Sequence, residues 1–161
     1  MHAKSSGGFI IVLSLFLSMC LNVAPWPNQV AILMPNWTLL TLMYWSIALP
    51  HKVSVFTGFI TGLLFDVLTG SLLGQNALIF SIASFFSHAL YPRLRNYRVW
   101  QQAYFVLFFL LSMKLLSLSI NQFPIRADAS YQYWLQAFSS AMIWPAIFAT
   151  LRLARRRYRV Q

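Results

Sequence analysis

The chain is nearly without acid. Of its 161 residues only Asp66 and Asp128 are acidic. Two carboxylates, one of them in a connecting segment, cannot supply the paired acid and base of glycosidase-type chemistry. Cysteine is scarcer still. Cys20 stands alone, which excludes an internal disulfide and a four-cysteine zinc site. The histidines, His2, His51 and His88, are too scattered to suggest a ligand cluster. There is no P-loop, no GxSxG and no HExxH. Neither an enzyme nor a bound cofactor or metal is expected.

Apolar sequence takes the place of all these. Hydrophobic residues make up 59% of the chain and charged residues 9%, where a soluble domain carries about 25% charged. A fold of this size could not hide so much apolar surface from water, so hydrocarbon is the expected solvent. A crossing helix needs roughly 20 mostly apolar residues. Six stretches qualify or nearly so: 9–24, 36–49, 53–70, 76–91, 99–120 and 133–151. Prolines punctuate them. Pro25 and Pro27 follow the first, Pro35 and Pro50 bracket the second, and Pro92 is expected to end the fourth. Pro145 lies inside the sixth and should kink it, because apolar sequence continues beyond. The expected fold is all-α, a polytopic membrane protein with six transmembrane helices in one bundle. The whole chain, 1–161, forms one membrane domain, with 152–161 as a basic cytoplasmic tail. Residues 1–24 resemble a signal peptide, but Asn22 and Pro25 suit no cleavage after Ala24, so they are expected to stay as a helix.

The cations set the expected orientation. Twelve Lys and Arg against two acids give a net charge of +10. In a soluble chain that would suggest nucleic acid; in this one it reads as topology. With both ends in the cytoplasm, the inner segments hold Lys4, Lys52 and two arginine runs. The first run is Arg93, Arg95 and Arg98; the second is Arg152, Arg155, Arg156, Arg157 and Arg159. The outer segments hold only Arg126. The two runs are expected to form one patch that anchors on anionic lipid or docks an acidic partner.

One stretch breaks the monotony. In "TGFITGLLFDVLTGSLLG", residues 57–74, Gly58, Gly62, Asp66, Gly70 and Gly74 recur every fourth residue. Small residues let helix backbones approach closely in lipid, so Gly58 and Gly62 mark a packing face. That face could meet a helix of the same chain or of a partner. Gly70 and Gly74 fit an outer turn. A buried carboxylate needs partners. One reading pairs Asp66 with Lys114, at matching depth in the fifth span. The other places Asp66 near the outer surface, against water, backbone donors or the end of another helix.

Residues 35–74, "PNWTLLTLMYWSIALPHKVSVFTGFITGLLFDVLTGSLLG", strongly resemble the rod-shape-determining protein MreD family. "WQQA" (100–103) and "WP" (144–145) extend the likeness. Pro35, Asn36 and Trp37 carry it together with the glycine series, and should set the outer end of the second span. The resemblance implies a multipass inner-membrane protein that assists side-wall peptidoglycan synthesis in the elongation complex. It implies MreC as partner, with MreB, RodA and the elongation penicillin-binding transpeptidase beside it. It also implies a fold similar to the substrate-binding subunits of energy-coupling-factor transporters. That leaves an alternative function, a small-solute binding or transport subunit whose cavity Asp66 lines.

Overall fold

The computed structural model describes residues 6–27, 30, 33–121 and 131–157, and within these the side chains of all but 6, 7, 120, 121 and 131–133. Six helices and no strand occur among the described residues. They are α1 (Ser6–Val23), α2 (Trp37–Ala48), α3 (Val55–Thr69), α4 (Gln75–Leu94), α5 (Val99–Asn121) and α6 (Tyr131–Arg157). Successive helices run in opposite directions. One cleft gathers Asn22 at the end of α1, Asn36 at the start of α2, Asn76 at the start of α4 and Gln136 near the start of α6. A second gathers Ala48, Arg98 and Arg155 from the opposite helix ends.

The shortest helix is the central post. α2 has 12 residues, and every residue from Thr38 to Ile47 is buried. At 1.5 Å per residue it is about 18 Å long, well short of the ~30 Å of a bilayer core. It packs on α1, α4 and α6. Its own polar groups are therefore surrounded by protein. Ser46 Oγ donates to the Leu42 carbonyl at 2.9 Å, and Thr38 Oγ1 accepts from Asn22 Nδ2 of α1 at 2.7 Å. Trp45 Nε1 donates to Ser14 Oγ of α1 at 2.8 Å. Tyr44 meets Phe148 of α6 edge-on, with ring centroids 5.4 Å apart.

α3 is sorted inside out relative to a water-soluble fold. α3 buries Gly58, Thr61, Gly62, Phe65 and Asp66. Phe65 apart, its large apolar side chains point away, with Phe56 and Val67 each 69% exposed. α1 is apolar on both sides, with Ile11, Leu15 and Met19 buried beside Ser18 and Phe9, Val12, Phe16 and Leu17 facing outward. Soluble proteins avoid contiguous exposed apolar faces of this kind, whereas lipid favours them. Residues 99–119 and 134–157 are each long and apolar enough to cross a membrane; 8–23 and 55–69 are shorter apolar helices.

Two expected boundaries move. Pro92 does not end α4, which continues to Leu94. Proline clashes with the turn before it, and here the helix stops within two residues. α6 passes Pro145 and stays helical to Arg157, so the first part of the basic segment from 152 continues the helix. Arg155, Arg156 and Arg157 occupy its last turn, where cations complement the helix dipole.

Candidate functional site

The most extensive helix contact lies between α3 and α4. A methyl added at Gly62 would collide with the backbone of Ala77 and stand 2.5 Å from the Asn76 carbonyl oxygen. One added at Gly58 would collide with Ser84 Oγ and stand 2.7 Å from the Phe80 carbonyl. The glycine face thus packs inside the chain, against α4. Phe65 and Phe80 close the same seam, with centroids 5.5 Å apart.

Asp66 locks the outer end of this seam. Gly70 takes a left-handed φ of 65° and stops α3 after Thr69. That leaves Asp66 in the last turn of its helix. Gly74, at φ 98°, then sets α4 off in the return direction. A non-glycine residue rarely adopts either conformation. The returning helix aims its first N–H groups back at the carboxylate. Oδ2 accepts from Gly74 N at 2.8 Å and Ala77 N at 3.3 Å. Oδ1 accepts from Asn76 N at 3.0 Å, Asn76 Nδ2 at 2.8 Å and Ser71 Oγ at 2.7 Å. Every partner is a donor, and Asp66 is only 1% exposed. A helix N-terminus has unsatisfied N–H groups and a partial positive charge, and both suit a carboxylate. Asp66 acts as the cap of the following helix.

The expected Asp66–Lys114 pair is therefore corrected. Lys114 Nζ donates to Gln136 Oε1 of α6 at 2.8 Å. Lys114 lines a polar cleft of about 310 Å³ at this end of the bundle, with Asn22, Asn36, Asn76, Ser117 and Gln136. Asp66 does not line it. Depth arithmetic put the two charges level, but the acid's needs are met by a helix end only a short turn away.

Asn36 caps α2, its Oδ1 accepting from Leu39 N at 3.1 Å. Its backbone N–H donates to Ser140 Oγ at 3.2 Å, tying the start of α2 to α6. Pro35 is buried beside it, and Trp37 Nε1 donates to Met34 Sδ at 3.4 Å. Gln102, inside the "WQQA" segment, holds the opposite end and was not singled out from sequence. It is buried, donates to the Leu94 carbonyl at 2.8 Å and accepts from Trp144 Nε1 at 3.4 Å. The signal was present, since a glutamine in an apolar run needs partners. Of the arginines, Arg95, Arg98, Arg152, Arg155 and Arg156 converge on one cleft, whereas Arg93 and Arg157 lie exposed outside it. Arg159, Lys4 and Arg126 lie outside the described residues.

The family model of the rod shape-determining protein MreD matches residues 3–154. The chain belongs to the MreD family. A curated relative, the rod shape-determining protein MreD of Haemophilus influenzae, is 35% identical over 150 residues, covering 92% of this chain and 93% of the relative. Membership implies a role in determining rod shape, and agrees with the apolar helices in suggesting a membrane protein. No solved structure matches the chain. The expected likeness to energy-coupling-factor subunits is not shown. Within this MreD-family chain the Gly58–Gly62–Asp66 series binds two of its own helices together.

Proposed function

We propose that this chain is a non-enzymatic assembly factor of the cell-elongation complex, seated in the inner membrane with six crossings and both ends in the cytoplasm. It organises side-wall peptidoglycan synthesis by presenting helix faces and loops to partners. MreC is the first of these; MreB, RodA and the elongation transpeptidase are further candidates. The observation that carries the reading is the broad apolar face that α1 and α3 each turn outward. α3 uses its small and polar residues in holding the bundle together, α1 packs inward through Ile11, Leu15 and Met19, and the outward faces of both are large and apolar. Such faces are suited to lipid and to the transmembrane helices of other proteins. The excess of inner Lys and Arg supports the orientation.

The transport alternative depended on Asp66 lining an open cavity. Asp66 is sealed and all its described partners belong to its own turn and α4, so that reading loses the residue it rested on.

The test is affinity purification of the tagged full chain from membranes of rod-shaped cells in mild detergent. Recovery of MreC as a major companion is the expected result. Recovery of an ATPase module and a small ligand, without MreC, would contradict the proposal.

A further inference from the structure

The arginines that converge at the inner end of the bundle form a cleft of about 320 Å³. Arg95 and Arg98 come from the α4–α5 connection, and Arg152, Arg155 and Arg156 from the last turns of α6. Positions 152, 155 and 156 share one helix face, since residues three and four apart are neighbours. Five guanidinium groups from two elements thus face one space. Among the described residues no carboxylate lines this space, and Asp66 lies at the opposite end of the bundle.

The cleft is also anchored and walled. Arg155 Nη1 donates to the Ala48 carbonyl at the end of α2, at 3.4 Å. Tyr44, Ile47 and Phe148 line it alongside the arginines. Among the five guanidinium groups, that of Arg155 is the one with a described hydrogen bond to the bundle. Guanidinium groups match the oxygens of a phosphate bidentately, and lose less on leaving water than an ammonium does.

An apolar groove of about 430 Å³ continues from the cleft along the outer face. Pro145, Ala149 and Leu153 line it, and Val99, Phe148, Arg152 and Arg156 belong to both spaces. A cationic cradle that opens into an apolar channel on a lipid-facing surface fits a molecule with a phosphate head and a hydrocarbon tail. A soluble anion would use the first and leave the second bare.

We propose that this cleft binds the phosphate headgroup of an anionic phospholipid, with one acyl chain lying along the adjoining groove. The inference rests on the membrane-embedded reading above and adds a defined lipid site to it. The site would seat the inner ends of α2, α5 and α6 at a fixed level in the leaflet.

The full chain, purified in neutral detergent, is titrated with phosphatidylglycerol, and bound lipid is counted by native mass spectrometry. Wild-type protein should retain phosphatidylglycerol under conditions that strip phosphatidylcholine. The pair R152Q/R156Q should weaken retention roughly 30-fold, from two arginine contacts. The pair R95Q/R98Q should weaken it to a similar degree through the other element. Far-UV circular dichroism shows that each variant is folded. The pair R93Q/R157Q removes the same charge outside the cleft and should retain lipid as wild type does. Equal loss in R93Q/R157Q would overturn the proposal in favour of diffuse surface charge. Displacement of the lipid by millimolar inorganic phosphate would overturn it in favour of a soluble anion. No retention by the wild type would overturn it outright. The assay contains no second protein, so its failure and the failure to recover MreC are separate results.

Discussion

Replacing Asp66 with alanine should cost about 3 kcal/mol or more of stability and abolish the chain's ability to restore rod shape to cells lacking it. The carboxylate satisfies three backbone N–H groups at the start of α4 and two side chains of the turn. Loss of an ordinary helix cap costs about 0.5–2 kcal/mol. Here the acceptor is enclosed and takes five hydrogen bonds at once. Asp66→Asn keeps the size but turns one acceptor into a donor that faces N–H groups, so it should recover only a small part of the loss. Val67→Ala, on the exposed face of the same turn, is the control and should behave as wild type. The measurement is the thermal midpoint in detergent, followed by tryptophan fluorescence, together with cell shape. An Asp66→Ala midpoint equal to that of Val67→Ala would contradict the account of the seam.

Gly62→Ala should be the other severe change, although alanine is ordinarily the better helix former by about 1 kcal/mol. The added methyl meets backbone, not a side chain that can swing aside: Ala77 N would stand 2.6 Å away. Ala77 is itself wholly buried. The helices would have to separate, and overpacking of that kind costs about 1–3 kcal/mol, occasionally more. Separation would also lengthen the bonds from Asn76 and Ala77 to Asp66. The Gly62→Ala/Asp66→Ala double variant should therefore lose less than the sum of the singles. Gly62→Val should prevent accumulation of folded protein altogether. Gly8→Ala is the control, because nothing lies within 4 Å of the added atom. The same midpoint assay decides the matter. A Gly62→Ala midpoint at or above that of Gly8→Ala would contradict it.

Much of this arrangement can be read from the residues. Helices could be placed because all but one of the apolar runs end in proline, glycine or charge, and backbone groups in lipid have few other ways to be satisfied. The role of Gly58 and Gly62 as a contact face followed from their size and spacing. What they touch did not, because small residues admit any close neighbour. Asp66 shows where sequence reasoning stops. Counting residues along two helices set it level with Lys114. The deciding fact was local, in that Gly70 ends α3 early and Gly74 turns α4 straight back. An acid followed by Ser71, Gly74 and Asn76 is turn chemistry that could have suggested this. The arginines divide in the same way. Their common side followed from charge counting, but which five converge depends on α6 staying helical past residue 151, and an expected tail gave no faces to compare. The short α2 was the hardest to interpret, because a buried central helix need not span the bilayer by its own length.

Sided cysteine labelling tests most directly how the chain threads the membrane. With Cys20 changed to serine, single cysteines replace Leu72 in the α3–α4 turn, Asn96 in the α4–α5 turn and Arg157 at the end of α6; all three positions are exposed. In intact spheroplasts an impermeant maleimide should label L72C alone. In inverted vesicles it should label N96C and R157C and leave L72C untouched. Labelling of L72C and N96C from the same side would contradict the six-crossing bundle and everything built on its inner rim.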